Sequence, residues 1–490
     1  MKCIATFDIG TTAVKAVLVD TEGHVVQTAS QDIPTLYDGP CREQNPQVWW
    51  DAFCSLSQGF LQHTILGIVM SGQMQDVIPV DEDLQPVRNA ILYSDGRGSE
   101  QARRLIEALG EDAFLRITGN GCDGSLSLPK IMWMRDNEPE LYGKTRCFLI
   151  SSKDYVAVRL TGRCTSDVTA CSTAGAMDMQ TKQWSRPILA AAQVEPDRLP
   201  RLLCSHQPAG TVTPEAAAQC GYPAGTPVFA GVGDAGATTL ASGIMDAGQY
   251  NINLGTSGWV ATVSDQALYS GGGVFNLAAM PAGKVINVVP FLNAGNVHRW
   301  LSVLFSGQDG APDYGKMNCL LEKSSPGANG VMALPYLVGE RFPVLDAEAR
   351  GAFVGLTPET SQSDLARAML EGVGFSIRQG METIGRRPEH VSIIGGGGRV
   401  ACWCQILSDI LGQRVYVYRN ADTLPARAIA AAALIGLGIH KDYTCFVEGL
   451  QQEGSADVFG PEPETARMYD ALYRRYVELY PLLKQWYGNP

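Results

Sequence analysis

Phe7-Asp8-Ile9-Gly10-Thr11-Thr12 returns, about half a chain later, as Ile252-Asn253-Leu254-Gly255-Thr256-Ser257. Each copy sets a polar residue, an aliphatic, a glycine and two hydroxyl residues where a strand should turn. Apolar alternation follows both, through Val17, Leu18 and Val19 in the first and Val260, Thr262 and Val263 in the second. The pattern predicts a strand, a tight glycine turn and a return strand. Such a turn presents backbone N–H groups and hydroxyls together, which is what a polyphosphate requires. Two of them imply two related lobes closing on one nucleotide.

The chain has 490 residues, 45% of them hydrophobic, enough for two to four domains and at least two substantial cores. Its 38 Lys and Arg against 50 Asp and Glu give a net charge of −12, which argues against general affinity for nucleic acid or anionic lipid. No apolar leader precedes Asp8, and no run of about 18 apolar residues occurs, so a soluble, cytoplasmic protein without a membrane role is expected. The 13 cysteines are odd in number and scattered, which favours reduced thiols. Cys402 and Cys404, two apart on a predicted helix, point in different directions and so do not share a metal.

Apolar strands alternate with helical periodicity, the α/β pattern in which ligands gather beyond the carboxyl ends of strands. Strands are expected at Ile65–Met70, Val228–Val232 and Val391–Ile394. They end in Ser71-Gly72-Gln73, Gly233-Asp234 and Gly395-Gly396-Gly397-Gly398. Helices are expected at Pro46–Gln62, Ser99–Leu109, Ala235–Gly243, Ser363–Gln379 with Ser361 and Asp364 as a capping pair, Cys402–Leu411 and Thr465–Tyr480. Gly243–Gly248 reads as a connector, dividing the chain into lobes 1–244 and 245–490 that pack closely and hinge. The stripe Tyr473, Tyr476, Tyr480 and Leu483 is expected to pack on its own lobe, with a homodimer interface as the alternative.

Eleven stretches in order carry a resemblance. Among them are Asp8–Lys15, Gln44–Trp50, Gly72-Gln73-Met74, Ser94–Arg97, Lys153-Asp154-Tyr155, Gly231–Asp234, Leu254–Gly258, Leu334–Arg341, Leu370–Phe375 and Gly395–Arg399 with Trp403. Over nearly its whole length the chain resembles the FGGY carbohydrate kinases, most of all the xylulokinase branch. The resemblance implies two actin-like, ribonuclease-H-like lobes with a cleft between them. It also implies ATP with Mg²⁺ as donor and a sugar or polyol as acceptor.

Phosphoryl transfer needs positioning, charge neutralisation and a place for the hydroxyl proton. Asp234, at a strand end between glycines and a helix, is the expected catalytic base; the bland alternative is a helix cap. Asp8 is expected to face the metal, since Mg²⁺ takes one or two carboxylates plus phosphate oxygens. Gly10, Thr11, Thr12 and Lys15 from the first lobe, and Gly255, Thr256 and Ser257 from the second, are expected around the phosphates. Gly395, Gly396, Gly397 and Gly398 would let adenosine lie against bare backbone. By resemblance, Gln73, Met74, Gln75 and Asp95 line the sugar site with Asp234.

The chain departs from the family in places. Gln75-Asp76 stands where xylulokinases carry His-Gly, Ala235 follows the base in place of Asn, and Val400 replaces a Ser. Leu424–Ala430 lacks two glycines of a helix start, which would alter adenine affinity or helix packing. Repulsion from Asp76, Asp95 and Asp234 is expected to disfavour an acidic sugar, and the changes at Gln75 and Ala235 to weaken activity on D-xylulose. The alternatives are a nucleotide- or sugar-binding regulator of the same fold with little turnover, and an actin-like ATPase.

Overall fold

Both copies of the opening motif form the hairpins that their patterns predict. Lys2–Ile9 pairs antiparallel with Ala13–Asp20, setting Asp8 opposite Lys15, and Gln249–Leu254 pairs antiparallel with Gly258–Ser264. In this computed structural model the described residues are 1–39, 41–269, 273–307, 310–385, 388–450 and 455–487.

The two hairpins nucleate sheets of one design. In the first, Val25–Asp32, Ala13–Asp20 and Lys2–Ile9 run antiparallel, then Thr64–Gly72 and Pro227–Phe229 follow in parallel. In the second, Val285–Phe291, Gly258–Ser264 and Gln249–Leu254 are followed by His390–Ile394 and Val415–Tyr418. Each sheet also gains an antiparallel strand beyond the last parallel one, Pro208–Thr211 in the first and Ala456–Phe459 in the second. This is the two-lobed α/β architecture that the repeat implies, and the actin-like form that the resemblance implies.

Local chemistry accounts for most element ends. Gln362–Ile384 begins in the expected Ser361/Asp364 capping box and stops at the left-handed Gly385. Pro46–Gln58 is capped by Asn45, whose side chain accepts from Gln47, and stops four residues short of the expected Gln62 because Gly59 ends it. The C-terminal helix, Pro463–Tyr487, is longer than expected. Tyr473 and Tyr476 pack on Phe375, at ring separations of 6.0 and 5.0 Å, and Tyr480 on Tyr336 at 6.1 Å. The aromatic stripe is therefore spent within its own lobe.

The strand expected over Val228–Val232 is two short pieces, Pro227–Phe229 and Val232–Gly233, both beside Thr64–Gly72. Gly231 breaks it: at φ +68° its N–H leaves the sheet for Ser205 O. The helix Asp234–Ala241 starts directly afterwards, with Asp234 its first residue.

The helix Leu424–Gly436, which the departures from the family flagged, bridges the lobes. Ala428 and Ile429 are fully buried in one apolar cluster with Ile4, Val69, Phe229 and Leu240 of the first lobe, and Arg427 Nε donates to Gly23 O at 2.8 Å. Aliphatic and methyl groups there tighten packing between the lobes. All cysteines are free, Cys404 is buried in Ala401–Leu411, and among the described residues no helix is long and apolar enough to span a membrane.

Candidate active site

A cavity of about 340 Å³ opens between the lobes. Gln73, Met74 and Gln75, at the end of Thr64–Gly72, reach it from one side with Asp234 and Ala235; Trp259, Phe275 and Arg341 face them from the second lobe. Tyr93, Thr173 and Thr238 add uncharged hydrogen-bonding groups. The neighbourhood of Asp234 with Gln73, Met74 and Gln75 is the one expected.

Asp234 is exposed and lines the cleft. Protein surrounds it, and that desolvation, followed by the negative charge of Asp8, pushes its pKa up to about 7 against the hydrogen bond from Ala235 N–H. Asp8 is half-buried at the end of its strand; burial raises its pKa too, opposed by the Ser71 hydroxyl, 2.8 Å from Oδ1, and by Lys15. Two carboxylates raised by burial, Asp234 also by the charge of Asp8, would be relieved by a divalent cation. Among the described residues no three His, Cys, Asp or Glu side chains gather into a cage. A cation here would therefore depend on Asp8 Oδ2 and on the oxygens of a bound phosphate.

The first hairpin turn is held by Gly10 N–H to Ala13 O at 3.1 Å. Thr12 and Lys15 are exposed beside it. The Thr11 hydroxyl is already committed to Gln73 Oε1 at 2.9 Å, while Gln73 Nε2 donates to Gln44 Oε1 at 3.0 Å. Thr11 thus orients a residue of the interlobe cavity.

In the second lobe a cavity of about 660 Å³ is lined by Gly255 and Thr256 from the turn, Gly396 and Gly397 from the glycine run, and Asn296, His298, Tyr314 and Trp403. The turn is braced by its own Asn253, whose Oδ1 accepts Gly255 N–H at 2.8 Å, and by Gly295 and Asn296, whose N–H groups bond Gly255 O and Thr256 O at 2.8 and 2.9 Å. Asn253 fills the place that Asp8 holds in the first lobe, so the acid stands on one side only. Ser257 is exposed at the turn, and Trp259, two residues on, reaches the interlobe cavity. The turn thus borders the second-lobe cavity, and the strand that leaves it reaches the interlobe one.

The four glycines divide their work. A Cβ on Gly395 would sit 2.7 Å from the Leu254 carbonyl carbon, and one on Gly397 2.6 Å from Leu254 Cβ, so these two allow the run to pack on the hairpin. Gly396 has no atom within 4 Å of its would-be Cβ and presents bare backbone to the cavity. Gly398 packs against Ile393 and Val417.

Asp95 and Asp76 do not line the interlobe cavity. Asp95 is buried in an ion pair with Arg97, 2.6 Å away, and accepts Arg42 N–H at 2.8 Å. Asp76 is fully buried, accepts Tyr93 N–H, and is pushed well up in pKa by desolvation. The expected repulsion of an acidic sugar by these two carboxylates is thus removed, because both are turned into the protein. Sequence reading also missed Arg341, which sits inside a quoted motif without a role. His298 was missed as well; its ring stacks between Tyr314 and Trp403 at 5.5 and 5.8 Å, and burial lowers its pKa. A histidine on a helix carries no local signal of a stack completed by residues far away in sequence.

This geometry separates the two threonines experimentally. Thr256→Val should raise the KM for ATP about fivefold, the worth of one hydrogen bond, with sugar KM unchanged. Thr11→Val should instead raise sugar KM by a similar factor of about five, through the freed Gln73. Steady-state kinetics with each substrate varied in turn checks both.

Comparison with known proteins agrees with the geometry. Residues 3–241 match the N-terminal domain of the FGGY family of carbohydrate kinases, and residues 250–436 its C-terminal domain. The xylulose kinase of Bacillus subtilis is 31% identical, covering 98% of this chain and 97% of that protein; that of Escherichia coli is 31% identical, covering 97% and 99%. The crystal structure of xylulose kinase from Rhodospirillum rubrum superposes with a TM-score of 0.91 at 28% identity, covering 99% and 100% of the two chains. With both lobes matched and relatives aligned from end to end, the chain belongs to the FGGY family of carbohydrate kinases.

Proposed function

We propose that this ATP-dependent carbohydrate kinase phosphorylates a neutral ketose or polyol, with Asp234 accepting the proton of the attacking hydroxyl. The observation that carries the reading is the placing of Asp234 alone, among the carboxylates first assigned to the sugar site, on the cavity between the lobes. A sugar there would meet Gln73, Gln75, Tyr93, Thr173 and Thr238, whose neutral donors and acceptors suit hydroxyls. Neutrality therefore rests on these groups and on the balance of one cation, Arg341, against one carboxylate, Asp234, on opposite walls of the cavity, since Asp76 and Asp95 face elsewhere.

A carboxyl with a pKa of about 7 is half-ionised at neutral pH, and as the oxygen attacks phosphorus its affinity for the hydroxyl proton is well matched to the task. The Gly255–Ser257 turn and the Gly396 backbone would hold the nucleotide, and Lys15 would lie near the transferred group. Mg²⁺, held through Asp8 and the phosphates, would neutralise charge on the phosphoryl oxygens. No feature of the site favours a regulator without turnover, and Asp234, Asp8 and the Gly255–Ser257 turn stand where turnover would use them.

Gln75 and Ala235 both line the cavity, so the two departures from the xylulokinase pattern fall where they alter sugar contacts. A coupled ATPase screen over pentuloses, hexuloses, polyols and D-gluconate should give a neutral sugar other than D-xylulose as best substrate. Gln75→His with Ala235→Asn should raise kcat/KM for D-xylulose about tenfold, the scale of a restored polar contact. A preference for gluconate would overturn neutrality. A wide preference for D-xylulose by the parent would overturn the specificity argument.

A further inference from the structure

Asp8 and Asp234 stand on separate elements, the end of Lys2–Ile9 and the start of Asp234–Ala241. In-line transfer tolerates little error in their spacing, since a misplacement of about 1 Å can cost on the order of 10²-fold in rate. The residues behind them explain how that spacing is kept.

The helix Ser152–Thr161 starts beneath both. Ser152 Oγ donates to Ile9 O at 2.6 Å, the carbonyl just after Asp8, which also accepts Gln73 N–H at 3.3 Å. The next residue, Lys153, is buried, and its ammonium bridges Asp154 Oδ1 at 2.6 Å and Asp167 Oδ2 at 2.8 Å. Asp167, fully buried, turns Oδ1 to three N–H groups: Thr169 at 2.9 Å, Ala170 at 3.0 Å and Gly233 at 3.3 Å. The first two cap the short helix Val168–Cys171. The third belongs to a different element and is the residue immediately before Asp234.

Two neighbouring side chains thus reach the residue after one active carboxylate and, through Asp167, the residue before the other. The link has no slack. A Cβ on Gly72 would lie 2.6 Å from Ser152 Oγ and 2.9 Å from Lys153 N. Stability alone is a poor reason for a buried lysine between two aspartates, because desolvation offsets much of the Coulombic gain.

We propose that Ser152, Lys153 and Asp167 are positioning residues that hold Asp8 and Asp234 at their working separation. The inference rests on the reading of Asp234 as base. Asp167→Ala, assayed well below its unfolding temperature, should lose about 30–100-fold in kcat, with both KM values within about threefold. Asp167→Asn keeps an oxygen for Gly233 N–H and should recover about tenfold of that loss. Ser152→Ala, which removes one hydroxyl, should lower kcat about three- to tenfold.

A purely structural role would move the unfolding temperature and leave the kcat of folded enzyme alone. The sharper readout is coupling: in an Asp234→Asn background, Asp167→Ala should cost less than about threefold, because its effect acts through the side chain already removed. Parent-like kcat in folded Asp167→Ala, or its full loss repeated in the Asp234→Asn background, overturns the proposal. If Asp167→Ala does not fold, unchanged kcat in Ser152→Ala overturns it. Near-normal turnover of Asp234→Asn sinks the base reading, whereas a crippled Asp234→Asn beside unaffected Asp167→Ala and Ser152→Ala sinks the positioning alone.

Discussion

Asp234→Asn should lower kcat by about 10²–10⁴-fold while ATP and sugar still bind, the usual cost of losing a general base. Asparagine fills the same volume and still accepts the Ala235 N–H, so the helix start survives and only the proton acceptor is lost. The parent should show an acidic limb in kcat/KM near pH 7, because burial and Asp8 hold the free-enzyme carboxyl at about that value. Rapid-quench or coupled kinetics from pH 5 to pH 9 measures both. Turnover within about threefold of the parent would remove Asp234 from the chemistry.

The same substitution has a stability signature of predictable sign. A carboxyl whose pKa rises from 3.8 to about 7 on folding favours the native state fully below the unfolded value. That contribution is lost as pH climbs through about 7, where the native state must ionise a group set beside Asp8. Asp234→Asn should therefore stabilise the protein at pH 8 and have little effect at pH 4. The side chain is open to cleft water, so the gain is discounted to about 1 kcal/mol. Thermal unfolding at the two pH values checks it, and a base that costs stability at its working pH is what a strained catalytic site would show.

The two-lobed fold was legible because the hairpin motif occurs twice. A strand, a glycine turn and a return strand are written in local alternation, and its repetition at Ile252–Ser257 marks the second sheet without reference to any long-range contact. Helix ends were legible where a cap is written locally, as at Ser361 and Asp364, and misread at Gln62 because apolar periodicity continued past Gly59. The residues that line the two cavities were legible where they sit at strand ends, as Gln73, Asp234 and Gly255 do. The directions of side chains were not. Asp76 and Asp95 read as cleft carboxylates, yet Tyr93 N–H draws one inward and Arg97 with Arg42 N–H holds the other. Arg97 lies only two residues from Asp95, but Tyr93 and Arg42 are brought to their carboxylates by chain crossings that carry no local pattern. Arg341 and His298 were missed for the same reason: each gains its place from elements up to a hundred residues or more away.

The break in the strand before Asp234 gives the second large effect. Gly231→Ala should destabilise the protein by more than about 3 kcal/mol and lower the kcat of whatever folds at least about tenfold. Two costs combine. An alanine at φ +68° pays about 1–2 kcal/mol for left-handed backbone. Its Cβ would also lie 1.8 Å from Met70 O, inside the strand that carries Gln73 and Met74, so either that strand or the segment leading to Asp234 must move. Gly225 separates the two costs, since it has φ +88° and no atom within 4 Å of its would-be Cβ. Gly225→Ala should show the backbone cost alone, lowering Tm by about 2–8 °C at 2–4 °C per kcal/mol for a lobe of this size. Gly231→Ala should lower it by at least about 6–12 °C on the same scale, and should be the one of the pair that impairs turnover. Equal losses in the two variants, with kcat intact in both, would mean that Gly231 serves only its own backbone angle and that the close approach to Met70 does not set the position of Asp234.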